Sequence, residues 1–482
     1  MSLLIKNVQI VDGRGRKPYK GDVLVQKDRI SAIGNLRSKQ VKDFIDGLGN
    51  YLIPGFVDSA ATTDRYLDLL LNPGQSRLKE QGIGTVIGGN GGASLAPLIY
   101  GRLDALSKWA DGINVNIDWH TAADFFKSLS RLDLGINFGT FIGYDTVLQA
   151  ITGGEERGLT KNEIKIVHRI IENGLKDGAF GVSLRSGSYK TMAKSEIKGM
   201  LDLVTKYHCS VSLSIDVRSG KEEIEKAIEA FSRKNRVKIL VADFWPIAGH
   251  EGVFEEVLSS APSNVKFVLK PYPGVIYQAL DVLPEWITKD RDRDNLAKAL
   301  LDEDVLKKLE PELAWIAPEK CLVVYAGRHE ILSGKTLKEL SEIYDLPPVK
   351  TLLKVFSLCK LRVSLLYPSA NETILMKHIK DENVFISSYS NSSFMETAYL
   401  KEIEQDGFTR FLKTACESDS KNLPGAVKQV TSAPARFLNL KNRGVIKEGY
   451  AADLTLIDKD NFKTIASITG GITKGIPLRH RG

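Results

Sequence analysis

The 482-residue sequence holds only four cysteines, Cys209, Cys321, Cys359 and Cys416, and no two of them stand in CxxC spacing. That scarcity excludes a disulfide framework and a structural zinc site, and it predicts buried thiols in a reducing compartment. No apolar run approaches the ~18 residues that span a bilayer, and "MSLLIKNVQIVDGRG" lacks a basic segment followed by a long apolar one. A cytoplasmic protein without membrane attachment is expected. The net charge of +7 is small for this length, and the lysines are scattered among acids rather than clustered with aromatics, so nucleic acid is not an expected partner. Histidine is scarce too: His120, His168, His208, His250, His329, His378 and His480 show neither pair spacing nor an adjacent helical glutamate motif. His250 and His329 follow strand-like runs, which places them as candidates for a site mouth, with a surface or supporting role as the default.

Strand and helix signals are abundant. Residues 3–53 alternate apolar and polar side chains between Asp-Gly and Gly-Asn turns, and "RGVIKEGYAADLTLIDKDNF" repeats that texture near the end of the chain. Between them, apolar runs such as "GTVIGGN", "NFGTFIGY", "AFGVSL", "CSVSLSIDV", "VKILVADFW", "VKFVLKPY", "CLVVYAG" and "NVFISSYS" read as strands. Amphipathic stretches such as "KNEIKIVHRIIENGLKDG" and "KEEIEKAIEAFSRKN" read as helices. Repeated β then α predicts an α/β fold: a TIM-type (β/α)8 barrel over 56–412, and a small β-sandwich or barrel domain built from 1–55 and 413–482. The glycine-rich "GGNGGAS" is not followed by the Lys-Ser/Thr of a phosphate loop, so it reads as a strand turning at close quarters.

The stretches "LIPGFVDSAATTD", "GIGTVIGGNGGASLAPL", "KDGAFGVS" and "AVKQVTSAPARFLNLKNRGVIKEGYAADLTLID" resemble the amidohydrolase superfamily, and within it the N-acyl-D-amino-acid deacylases. The resemblance implies hydrolysis of the amide of an N-acylated D-amino acid by zinc held at the barrel mouth. Such zinc keeps an open position for water and lowers its pKa toward about 7. The positions that carry this chemistry in the family are altered here. Its His-x-His pair corresponds to Ala60 and Thr62, its metal-binding cysteine to Gly91, two later histidines to Asp216 and Asp243, and its catalytic aspartate to Tyr389. A further family histidine corresponds to Tyr144, read here as filling space. Arg218 is kept at the position that helps hold a substrate carboxylate, and Arg185 and Tyr189 fall in the shortened substrate loop.

A catalytically degenerate amidohydrolase-fold protein is therefore expected. Its candidate ligand-binding residues are Arg218, Asp216, Asp243, Tyr189 and Arg185, its ligand a small carboxylate-bearing molecule, and no cofactor is expected, zinc in particular. Self-association is left open. The alternative is a hydrolase of C–N bonds with a remodelled carboxylate site. There Asp216 and Asp243, with Asp58, Asp64 or Asp145 nearby, would hold Mg²⁺ or Mn²⁺ or act without metal.

Overall fold

The computed structural model describes residues 2–36, 41, 43–64, 66–100, 115–155, 157–232, 236–244, 246, 249–272, 274–288, 293–316, 318–368, 371–378, 380–388 and 407–469. The alternating N-terminal segment forms β1 (Ser2–Ile10), β2 (Tyr19–Gln26), β3 (Arg29–Gly34), β4 (Asp43–Asp46) and β5 (Tyr51–Pro54). β1 pairs antiparallel with β2 and parallel with β4 and β5. The chain then crosses Gly55 directly into the barrel.

The barrel strands run in chain order: β6 (Phe56–Asp58), β7 (Ile83–Gly88), β8 (Asn137–Thr140), β9 (Ile142–Gly143), β10 (Gly181–Arg185), β11 (Ser210–Ser214), β12 (Lys238–Ala242) and β13 (Val265–Leu269). β8 and β9 are separated by Phe141 alone and act as one bent strand, the first half parallel to β7 and the second to β10. After β13 the chain leaves the barrel for a small antiparallel sheet, β14 (Gly274–Gln278), β15 (Leu322–Tyr325) and β16 (Ser364–Pro368). It returns as β17 (Val384–Ile386), which pairs parallel with β13. β18 (Leu454–Ile457) and β19 (Thr464–Ile468) end the described chain, β18 pairing antiparallel with β5.

Counting β8 and β9 as one, eight parallel strands surround an apolar interior, and β7 is buried along its whole length, as strands covered on both faces require. The wall is closed between its first and last strands through side chains. Ser387 Oγ donates to Asp58 Oδ1 at 2.7 Å, and Ser388 N and Oγ donate to Asp58 Oδ2 at 2.9 and 2.6 Å. The helix Lys161–Lys176 begins at a capping box in which Thr160 and Glu163 satisfy each other's backbone amides, and it buries Ile164, Val167, Ile171 and Leu175.

One expected strand has moved. "CLVVYAG" lies in β15, outside the barrel, because a short apolar run does not state which sheet it joins. His329, which follows it, is exposed at the start of the short turn Glu330–Leu332. Both chain ends share one core, in which Ile5, Val23 and Leu52 meet Ile446, Leu454 and Leu456. The boundary expected at 412–413 falls inside the helix Gly407–Ser418, where Phe408 stacks on Phe56 of β6 at 4.9 Å. Burial pushes the Cys321 thiol up to about 12 and the Cys359 thiol up to about 11, so both are inert apolar fillers. No helix among the described residues is long and apolar enough to cross a membrane.

Candidate functional site

In a (β/α)8 barrel, chemistry sits at the C-terminal ends of the strands. At the end of β6, Asp58 is fully buried and accepts four hydrogen bonds, from Ala60 N at 3.1 Å and from the Ser387 and Ser388 groups. It is thus a strut of the wall. Ala60 is 4% exposed and belongs to the barrel's apolar interior with Val57, Ile87, Phe141 and Phe385. Thr62 is buried, and Asp64 is buried and accepts from Gly89 N at 2.6 Å. The Ser59 hydroxyl is fully buried and has no hydrogen-bond partner among the described residues.

The glycine run after β7 knits three strand ends together. Gly89, Gly91 and Gly92 have φ of 72°, 70° and 79°, a region costly for residues with a Cβ. Asn90 Oδ1 accepts from Ser212 Oγ at 2.7 Å, and Gly92 N donates to Ser183 Oγ at 3.2 Å. A Cβ on Gly92 would lie 2.2 Å from Asp145 Oδ2. Gly92→Ala is therefore expected to cost about 2 kcal/mol in urea denaturation, against no change for Gly187→Ala, where nothing lies within 4 Å. Equal midpoints for the two variants would refute this reading of the loop.

The remaining expected residues are placed as follows. The buried Tyr144 hydroxyl hydrogen-bonds the Glu196 carboxylate, and burial pushes its pKa well up. Arg185 Nε donates to Asp145 Oδ2 at 2.6 Å while Ser188 Oγ donates to Oδ1 at 2.6 Å. Tyr189 turns away toward the helix Lys221–Ser232, donating to Glu223 Oε1 at 3.2 Å and packing edge-on against Phe231. Arg218 is engaged within its own turn: its Nε donates to Asp216 Oδ1 and Oδ2 at 2.9 and 2.8 Å. The same guanidinium lies 3.7 Å from the ring centroid of Trp315, a cation–π contact supplied by the inserted segment. Tyr277 packs edge-on against Trp315, and burial first, then the Asp216 charge, raises its pKa. Asp243 follows β12 with φ of 56° and accepts from Ser214 Oγ at 3.3 Å. Tyr389 lies outside the described residues.

Asp216 and Asp243 thus have different partners: Asp216 is partly exposed and bound to an arginine, and Asp243 is anchored by a hydroxyl. Trp315, Tyr277 and the buried Lys270 that follows β13 were not singled out from the sequence. The signal available for Lys270 was a lysine directly after the apolar run "VKFVL". Nothing local ties Trp315 to Arg218, 97 positions earlier in the chain.

These donors do not fit the zinc that the resemblance implies. Zinc takes imidazole, thiolate and carboxylate ligands in a tight tetrahedron. Here an alanine, a threonine and a glycine hold three of the positions, and one aspartate is already neutralised by arginine. Among the described residues, no group of three or more His, Cys, Asp or Glu is arranged to hold a metal ion. His168 is committed elsewhere, its Nε2 lying 2.9 Å from Glu196 O, and His250 stands at the start of the helix Glu251–Ser260.

No family model matches the chain. It is 33% identical over 489 residues to an N-acyl-D-aspartate deacylase of Alcaligenes xylosoxydans xylosoxydans, an alignment covering 97% of this chain and 88% of that protein. A D-aminoacylase of the same organism is 30% identical over 185 residues, which span 38% of this chain and 37% of the relative. Among solved structures, a D-aminoacylase described as defining a novel subset of amidohydrolases superposes with a TM-score of 0.71 at 20% identity. That superposition covers 97% of this chain and 95% of the other, and it shows a shared fold.

Proposed function

Since the chain belongs to the N-acyl-D-amino-acid deacylases of the amidohydrolase superfamily, we propose that it is a degenerate member of that family, with a barrel retained for ligand binding or assembly rather than for amide hydrolysis. The observation that carries this reading is Ala60. Where the resemblance implies the first metal-binding imidazole, a methyl group packs into the apolar interior beside Phe141 and Phe385. The other departures act in the same direction. Gly91 offers no side chain, and Asp216 is held by Arg218. Arg218 in turn has its guanidinium shared between Asp216 and Trp315, so a carboxylate-bearing ligand would have to displace an internal partner. Without an ion to polarise the scissile carbonyl and generate hydroxide at neutral pH, amide hydrolysis loses its nucleophile.

The test is calorimetric titration of the full chain with Zn²⁺ and with Mn²⁺, alongside an assay of N-acyl-D-amino acids. Neither metal is expected to bind stoichiometrically, and no turnover is expected. Tight one-to-one zinc binding, or turnover, would sink the proposal. Turnover abolished by Asp243→Asn would establish the carboxylate-site hydrolase instead. Tight Mn²⁺ binding lost in the Asp216→Ala/Asp243→Ala variant would do the same.

A further inference from the structure

A cavity lined mainly by cations lies away from the mouth. It has a volume of about 480 Å³, within the range of small-molecule sites. Lys238 is the first residue of β12 and Lys266 the second of β13, so the cavity opens toward the N-terminal ends of the barrel strands, opposite the end where the family's chemistry would sit. Its outer wall is formed by the helices Leu423–Val430 and Ser432–Phe437.

Six cations line it and one acid. Glu382 pairs with Lys428 at 2.9 Å, and its charge also acts on Lys266 and Arg436, so one lining carboxylate stands against six cations. Lys266 is half-buried, and its only hydrogen bond among the described residues goes to a neutral amide, Asn383 Oδ1 at 2.7 Å. Burial pushes its pKa down, outweighing the opposing charges of Glu382 and Asp381. Lys238 Nζ donates to Phe437 O at 2.8 Å and to Asn439 Oδ1 at 3.0 Å, again neutral acceptors. Lys380, Lys421 and Arg436 are exposed around the opening and make no ion pair among the described residues. Beneath these charges the floor is apolar: Phe385 and Phe437 meet edge to face at 5.5 Å. A predominantly positive concave wall over a low-dielectric floor concentrates the field and raises the local concentration of opposite charge.

We propose that this cavity is a binding site for a small organic phosphate, its phosphate held by the lysines and Arg436 and its apolar body resting on Phe385 and Phe437. Multiple lysine ammoniums act as point charges toward a phosphate, and the planar arginine adds directional donors. No cation given to the phosphate belongs to the barrel mouth; Phe385 alone serves both as cavity floor and as part of the apolar interior that Ala60 joins.

The probe is phenyl phosphate, titrated calorimetrically into the full chain at low ionic strength, with inorganic phosphate as the second arm. Saturable one-to-one binding of phenyl phosphate, tighter than that of inorganic phosphate, is expected. Neutralising two exposed cations in Lys421→Gln/Arg436→Gln should weaken it by about tenfold while the melting temperature without ligand stays unchanged. Lys380→Gln provides an independent neutralisation at the same opening and should weaken binding in the same direction. Absence of saturable phenyl phosphate binding, or undiminished binding by both variants, would overturn the site. Equal affinity for inorganic phosphate would overturn the role given to the two phenylalanines.

Discussion

Asp58→Ala should lower stability by about 4 kcal/mol, the largest effect expected of any single substitution in the barrel wall. Asp58 is 0% exposed, and its two oxygens gather Ala60 N, Ser387 Oγ, Ser388 N and Ser388 Oγ. Removing the carboxyl group takes the acceptor from Ala60 N, Ser388 N and Ser388 Oγ in a buried site, and leaves Ser387 Oγ only its longer bond to Ser388 O at 3.3 Å. It also unpins the end of β17 from β6, the seam at which the barrel closes. Asn in its place keeps the shape and one acceptor oxygen. The Ser388 hydroxyl can rotate to accept from the new amide, but the Ser388 backbone N–H cannot, so Asp58→Asn should cost about half as much. Urea denaturation with an unchanged slope measures both values. An Asp58→Ala variant within about 1 kcal/mol of the parent would show that the seam does not depend on this residue.

Arg443→Met should be comparably damaging, at about 3–5 kcal/mol, because it strips a buried carboxylate of its cation. Arg443 and Asp453 form an ion pair with side chains 9% and 5% exposed. Asp453 stands immediately before β18, and Asn137 Nδ2 of β8 donates to its Oδ1 at 3.0 Å and to Gly84 O of β7 at 2.7 Å. Asp453 O accepts from Gly55 N at 2.8 Å. The aspartate therefore sits where the small sheet is joined to the first three barrel strands. Its niche is lined by glycine for a steric reason: a Cβ on Gly55 or Gly84 would come within 3.4 or 3.3 Å of the Asp453 Cβ. Adding Asp453→Asn to Arg443→Met removes the stranded charge, so the double variant should be less destabilised than the sum of the two single variants. Strict additivity, or a single-variant cost under about 1 kcal/mol, would show that the pair is solvated and weak.

Much of this molecule was legible along the chain. Period-two alternation at both ends announced the small sheet, and apolar runs alternating with amphipathic helices announced the barrel, because strand pleat and helical turn impose their periods on any sequence that must bury one face. The family resemblance gave a position for each expected ligand, and Ala60 and Gly91 state by their side chains alone that no imidazole or thiolate is offered there.

Partnership was what the sequence could not supply. Asp58 was legible as a candidate carboxylate, yet the serines that make it a strut lie 329 and 330 positions away. Arg218 and Asp216 are two residues apart, so their pairing was within reach of local reasoning, but the Trp315 ring above them comes from an inserted segment. The basic cavity draws Lys238 from one strand, Lys266 from the next and Arg436 from a helix almost two hundred residues downstream, and in the sequence each is one more scattered lysine or arginine. Side-chain periodicity is a property of neighbours along the chain and survives in the sequence. Which charges meet, and which are left facing a cavity, depends on loops closing over hundreds of residues, and only the folded chain decides it.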